Sequence, residues 1–248
     1  MKVIIKRQVD KELFESTYEV DLVGKTLLEI MQYIKEELDS SFSFRHQCGS
    51  GICGSCSINV NGIATRSCTY IPTNEETLLL EPLLGFSVIR DLIIDESILL
   101  NHQKSSQSFL HTYDKSSVTT PSEMNKYHLQ SECIKCNACY SACPVFQTNP
   151  EFLGPLLLTK SWRYFSDIRE HEYKSHIENI QKTLWDCILC GDCIPVCPQG
   201  ISPKADITFL QAKSSANGFS NPNANAFGSS FRDPYSGFSN SGFGSPFS

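Results

Sequence analysis

Twelve of the 248 residues are cysteine, and all of them fall between Cys48 and Cys197 in three groups of four. The groups are Cys48, Cys53, Cys56 and Cys68; Cys133, Cys136, Cys139 and Cys143; and Cys187, Cys190, Cys193 and Cys197. Cysteines that staple loops through disulfides are spread along a chain, whereas metal ligands must converge from short segments. The clustering therefore points to metal. The opening Met1–Asp10 has too short an apolar run for a secretory signal, and no stretch approaches the ~20 apolar residues of a membrane helix. The expectation is a reducing compartment, with export on a signal-bearing partner as the alternative.

The spacing within each group narrows the metal further. Cys48-x4-Cys53-x2-Cys56 with Cys68 beyond is the plant-ferredoxin pattern for a [2Fe–2S] cluster. Gly49, Gly51 and Gly54 lie among the first three ligands and let backbone N–H groups turn toward the sulfurs. Zinc prefers short-spaced pairs, two and two, and a Rieske centre needs two histidines where this loop has His46 alone. His46 reads as a surface side chain. Cys133-x2-Cys136-x2-Cys139-x3-Cys143-Pro144 and Cys187-x2-Cys190-x2-Cys193-x3-Cys197-Pro198 each repeat the bacterial ferredoxin run, whose fourth cysteine ligates the other cluster. The expected ligand sets are thus Cys133, Cys136, Cys139 and Cys197 for one [4Fe–4S] cluster, and Cys143, Cys187, Cys190 and Cys193 for a third cluster. With Cys190 as a ligand that third cluster is [4Fe–4S]; with Cys190 a free thiol it is [3Fe–4S].

Around these ligands the chain predicts an α+β architecture. Val3–Arg7 and Thr17–Asp21 read as strands, with Gly24-Lys25 ending the second. Thr26 and Glu29 form a capping box for a helix whose Leu27, Ile30 or Met31, Ile34 and Leu38 share a face. Ser57–Val60 and Ile63–Arg66 flank Asn61-Gly62, a strong hairpin signal, and Leu78–Leu80 is a buried strand ending at Pro82. Residues 1–100 thus predict an N-terminal β-grasp, [2Fe–2S] ferredoxin-like domain. Residues 101–131 are polar and read as a connector. Residues 132–213 predict an all-α two-cluster ferredoxin domain, with helices over Pro155–Ile168, Lys174–Trp185 and Pro203–Lys213, the last with Ser202 as N-cap and Pro203 at its first position. Residues 214–248 space Phe219, Phe227, Phe231, Phe238, Phe243 and Phe247 through Gly, Ser, Asn and Pro, a composition that predicts a C-terminal tail disordered when free or docked on a partner.

A formal net charge of −6 leaves no basic excess for phosphates, so no nucleic-acid partner is expected. No dinucleotide loop, Walker loop or nucleophile elbow is present, so no catalytic residue is assigned. A series of clusters carries one electron at a time, and the chemistry at either end belongs to other subunits. Nothing in the chain spans a membrane directly.

Beyond the cysteines, residues 1–213 resemble the iron–sulfur subunit of succinate dehydrogenase and fumarate reductase. Phe44-Arg45-His46-Gln47-Cys48 and the run Gly51–Gly62 look like that family's first-cluster loop. The stretch Pro82–Asp95 resembles its domain-closing segment. Asn149–Pro155, with Trp162-Arg163-Tyr164 and Asp167-Ile168-Arg169 behind it, resembles the segment after its second cluster. Gly49 stands where many members have Arg. Cys190 stands where most have an apolar residue and a [3Fe–4S] cluster, which resembles a variant branch of methylmenaquinol:fumarate reductase type. Pro144-Val145-Phe146-Gln147 lacks the tryptophans often found beside a quinone.

The resemblance implies an electron-transfer subunit between an FAD-bearing flavoprotein and a membrane-associated, Cys-rich, quinone-linked subunit. It implies a peripheral position on the inner membrane through partners, on the cytoplasmic face by default or on the periplasmic face through co-export. A second reading makes the chain the wire of a thiol-linked fumarate reductase or another flavoprotein oxidoreductase. A third, of another class, makes it an iron–sulfur redox sensor or scaffold.

Overall fold

Alternation in Lys2–Val9 turns Val3 and Ile5 to one side of strand β1 (Lys2–Val9), and both are fully buried. The computed structural model describes residues 1–73, 75–112 and 116–222. β1 pairs antiparallel with β2 (Glu12–Glu19). The connecting Asp10 and Lys11 both have positive φ, 49° and 73°, as tight hairpins require. The expected second strand began only at Thr17. The structure begins it at Glu12, because Asp-Lys makes a turn that its residue types do not announce.

Helix α1 (Leu27–Tyr33) starts at the expected capping box: Thr26 Oγ1 accepts the Glu29 N–H, and the Glu29 carboxylate accepts the Thr26 N–H at 2.8 Å. Its continuation, Ile34–Leu38, widens into a π-helical turn. The widening rotates the register, so Ile34 stays fully buried while Leu38, expected on the same face, is 47% exposed. β3 (Ser57–Val60) and β4 (Ile63–Arg66) form the hairpin predicted around Asn61-Gly62. β5 (Thr77–Glu81) pairs parallel with β1 and antiparallel with β3, giving a mixed five-stranded sheet in the order β2-β1-β5-β3-β4. α1 lays Leu27, Ile30, Met31 and Ile34 on Val3, Ile5, Ile58, Val60, Leu78 and Leu80.

A two-stranded ribbon, β6 (Val88–Arg90) and β7 (Ile93–Ile94), closes this domain. Asp91, in its turn, is fully buried and receives Arg7 Nε at 2.9 Å and Arg7 Nη2 at 3.1 Å. The same Asp91 accepts the Ser43 N–H at 2.8 Å. One buried ion pair thereby joins β1, the ribbon and the approach to the Cys48 loop.

The stretch read as a polar connector carries helices α2 (Ser97–Ser106), α3 (Pro121–Met124) and α4 (His128–Ser131). The helical half follows with α5 (Ala138–Ser141), α6 (Pro144–Thr148), α7 (Gly154–Phe165), α8 (Tyr173–Leu184) and α9 (Pro203–Ala216). α7 is the central helix: Gly154–Thr159 and Ser161 are all buried, and α4, α5, α8 and α9 pack around it. Pro203 opens α9 as expected. The Ser202 side chain, however, makes no capping bond; its carbonyl takes the Asp206 N–H instead. α9 runs past Lys213 to Ala216, and Phe219 packs back on the helical core. The remaining phenylalanines of the expected tail lie in 223–248, outside the described residues.

The two halves share one apolar core, since Ala64, Leu83, Phe86 and Ile94 of the sheet domain are buried with Tyr140, Phe146 and the α7 leucines. Phe86, Tyr140 and Phe146 meet as an aromatic trio with centroids 4.6–5.9 Å apart. Ser141 bridges the halves, accepting the Leu84 N–H at 2.9 Å and donating to Asn59 Oδ1 at 3.0 Å.

Two residues test this packing. Gly154 has φ +78°, and a Cβ there would lie 1.9 Å from Tyr140 Cε1, a ring pinned by its hydroxyl donating to the Leu153 carbonyl. Gly154→Ala should cost at least about 2 kcal/mol, read as a lowered thermal midpoint. Asp206 on α9 is buried and accepts from Gln130 at 2.8 Å through Oδ1, with the Thr159 hydroxyl as its other polar neighbour. Burial raises its carboxyl from 3.8 to about 6. The folded state then binds more protons than the unfolded one, so stability is fullest below the unfolded value and falls as pH rises through about 6. Asp206→Asn should therefore stabilise the protein by roughly 2–3 kcal/mol near pH 7.5, and by about half as much near pH 5, in thermal melts.

Candidate metal centres

The first cysteine loop follows the Arg7–Asp91 anchor. Gly49, Gly51 and Gly54 all have φ between +65° and +76°, and this winding turns amides toward Cys48. The Ser50 N–H donates to Cys48 Sγ at 3.3 Å. Backbone donors from Ser50 and Ile52, with Cys53 beside them, pull the Cys48 thiol down to about 6. The β3–β4 hairpin carries the chain back, and Cys56 and Cys68 lie buried together, close enough for their thiols to hydrogen-bond. Burial and the neighbouring Cys56 push Cys68 up. All members of this predicted set come together. His46, as expected, is exposed and stacks on Phe44.

The second and third loops cross. Burial raises Cys133, Cys136 and Cys139, and each feels the negative charge that Cys197 of the other motif would carry. Cys143 opens α6 and lines a single apolar cavity with Cys187, Cys190 and Cys193. Burial first, then Cys187, Cys143 and Cys190, pushes Cys193 up to about 12. Cys197 thus lies near the first three thiols of the second motif and Cys143 near those of the third, and the residues present fit such clusters. Each set gathers thiols at one place, supplies amide donors to the sulfurs, and leaves thiolates too costly to bury without a cation.

The same backbone device occurs twice in the helical half. Lys135 and Asn137 flank Cys136 with φ 54° and 63°, and Leu189 and Gly191 flank Cys190 with φ 56° and 96°. The Lys135 and Leu189 amides thereby donate to Cys133 and Cys187. Left-handed Lys and Leu cost about 1 kcal/mol each, and without a glycine the sequence carries no sign of them. The repeat gives the Cys190 turn the backbone of the Cys136 turn. The two differ in cover: Cys136 is buried under the first loop, whereas Cys190 is exposed and flanked by Ile188 (66% exposed).

Positive charge gathers at the second set. Lys160 of α7 is half-buried beside Lys135 and Cys133; burial first, then repulsion from Lys135, lowers its ammonium to about 8. The pair was missed in the sequence because Lys160 sits on another element. Lys204 of α9 approaches the third set, its backbone N–H donating to Cys193.

A different concentration of ligand-type side chains joins His111, Glu170 and His176. Glu170 Oε2 accepts the His111 N–H at 2.7 Å and faces His176 Nε2 at 3.0 Å; Oε1 accepts from Thr112 Oγ1 and the Glu172 N–H, both at 2.9 Å. Burial opposes the charge, yet these donors hold the carboxyl at about 2. The imidazoles stack with centroids 4.1 Å apart and planes at 19°, so their lone pairs do not converge on one point. The set ties the residues after α2 to the start of α8.

Known proteins agree with this geometry. The 2Fe-2S iron-sulfur cluster binding domain family matches residues 2–101, and the 4Fe-4S dicluster domain family matches residues 130–201. The fumarate reductase iron-sulfur subunit of Escherichia coli is 35% identical over 217 residues, 84% of this chain and 89% of that one. The Mycobacterium tuberculosis fumarate reductase iron-sulfur subunit is 35% identical over 204 residues, 77% and 81% of the two chains. The mitochondrial succinate dehydrogenase [ubiquinone] iron-sulfur subunit 3 of Arabidopsis thaliana is 32% identical over 213 residues, 81% and 69%. In fold the chain is similar to one from the Mycobacterium smegmatis Sdh1 complex, with a TM-score of 0.75 at 23% identity, covering 88% and 96% of the chains. Cysteine sets, two-domain fold and relatives coincide: the chain belongs to the family of iron–sulfur subunits of fumarate reductase and succinate dehydrogenase.

Proposed function

We propose that the chain relays electrons between an FAD-bearing flavoprotein and a membrane-associated, Cys-rich, quinone-linked subunit. The observation that carries this reading is the convergence of twelve thiols into three sets at adjoining places, two of them crossed between motifs. Cys48, Cys53, Cys56 and Cys68 hold a [2Fe–2S] cluster, and Cys133, Cys136, Cys139 and Cys197 a [4Fe–4S] cluster. Cys143, Cys187, Cys190 and Cys193 hold a third cluster, which is [4Fe–4S]. Bound iron and sulfide supply one-electron transfer; the protein supplies amide donors, burial and charge that tune it.

Support for Cys190 as a ligand comes from the repeated left-handed pair around it and from the cavity it shares with three other thiols. The functional units on this reading are 1–100, 101–131 and 132–213, the last extended by the end of α9 at Ala216. Among the described residues no helix is long and apolar enough to cross a membrane, which suits attachment through partners. Ile52, beside Cys53, is 70% exposed and suits a flavoprotein contact. At the third set Ile188, Cys190 and Ile194 are uncovered where the matching Cys136 turn is covered, which suits docking of the quinone-linked subunit.

Cys53→Ser should abolish quinone-linked succinate turnover in the assembled complex while leaving flavin reduction by succinate intact. Loss of the second activity as well would trace the effect to failed assembly. Cys190→Ser should convert the third cluster's EPR signature from [4Fe–4S] to [3Fe–4S]. A native complex that already displays the [3Fe–4S] signal would overturn the assignment of Cys190.

A further inference from the structure

The first cysteine loop lies against the second at Gly54. A Cβ built on Gly54 would lie 2.8 Å from Cys136 Cα, 2.8 Å from the Ile134 carbonyl oxygen and 3.0 Å from Cys136 Cβ. Two of these obstacles are backbone and the third is the root of a side chain, so no rotamer change relieves them. Cys53 is bonded to Gly54, and Gly54 lies against Cys136. One residue and one van der Waals contact therefore join the first ligand set to the second. A cleft of about 270 Å³ opens alongside, lined in part by Arg45, Cys53, Ile134 and Asn137. The domains close on each other at Gly54 and part beside it.

A separate device holds the point shut. Glu96 bridges the two loops: its Oε2 accepts from Arg45 Nη1 at 2.7 Å, three residues before Cys48, and its Oε1 accepts from Asn137 Nδ2 at 2.6 Å, next to Cys136. Asn137 is buried, so the clasp reaches into the second loop itself.

We infer that Gly54 is a positioning residue for electron passage between the first and second clusters, absent of a side chain so that the two ligand loops can meet, with Glu96 as the clasp that keeps them in contact. The inference rests on the cluster assignments proposed above. The step is a single electron leaving the first ligand set and entering the second, with no bond or proton exchanged. Conformational strain alone does not explain the glycine: Gly49 in the same loop has a similar φ of +65° but nothing within 4 Å of its Cβ position. Gly24, outside the cysteine loops, has φ +76° and nothing within 4 Å of its Cβ position, so Gly24→Ala carries the left-handed penalty without the clash.

The test uses the assembled, cluster-loaded complex with Gly54→Ala, Gly24→Ala and Glu96→Ala. Three quantities are read: iron and sulfide content, relaxation enhancement of the first cluster's EPR signal by the reduced second cluster, and the freeze-quench rate of second-cluster reduction after mixing with succinate. Gly54→Ala should keep both signals, lose most of the enhancement and slow transfer several-fold. Gly24→Ala should match the unaltered complex, and Glu96→Ala should lose part of the enhancement. Unchanged enhancement and rate in Gly54→Ala, or an equal loss in Gly24→Ala, overturns the inference. If Gly54→Ala fails to load its first cluster, Glu96→Ala decides, since it leaves every cysteine and glycine in place and full retention there overturns the clasp and the contact together. Absence of both EPR signals from the unaltered complex would instead sink the cluster assignments.

Discussion

Burying many thiols close together is the constraint on which this molecule turns. Desolvation raises Cys133, Cys136, Cys139, Cys143, Cys187 and Cys193, and each neighbour's charge raises the next. A protein interior tolerates such a set as thiolates only around cations, so ligand binding and folding are one free-energy term in the helical half. The left-handed Lys135 and Leu189 follow from the same need, because each aims an amide at a sulfur at a local cost. The first loop meets it with glycines, and there backbone donors pull Cys48 down while Cys68, buried beside Cys56, is still pushed up.

The second organising feature is that the two halves are not beads on a string. Leu83, Phe86 and Ile94 enter the helical core, Ser141 hydrogen-bonds to Leu84 and Asn59, and Glu96 clasps both cysteine loops. Electron passage depends steeply on separation, so a fold that merely held three clusters would not suffice. Their mutual placement is set by this interface, whose apolar part is the Phe86–Tyr140–Phe146 trio and whose polar part is a few buried bonds. The Arg7–Asp91 pair extends the same control to the entrance of the first loop.

Elements with strong local signals were legible in the sequence. The Thr26–Glu29 capping box, the Asn61-Gly62 hairpin and the Pro203 helix start all occur where local chemistry demands them. The Asp10-Lys11 turn, the π-helical widening at Ile34 and the β6–β7 ribbon were not: the first has no glycine to announce it, the second is a change of turn within a helix, and the third is held by Asp91 bonding to Arg7 of β1. Leu38 shows the mechanism: a helical period read from the sequence assumes uniform turns, and one wide turn carries the side chain out to solvent. Ser202 shows another, since an N-cap residue type satisfies the helix start through its carbonyl alone.

The sequence by itself determined the metal chemistry, because ligand spacing is a local property: a chain that must wrap a cluster places its cysteines within a few residues of one another. The repeated run ending in Cys-Pro also predicted that the fourth cysteine of each helical motif would lie with the first three of the other. Only the tertiary structure decided how the sets face each other. The contact of Gly54 with Cys136, the Glu96 clasp, the Lys160–Lys135 pair and the uncovered Cys190 each join residues far apart in the chain. No local pattern encodes such contacts, since they arise where separately specified elements pack against one another.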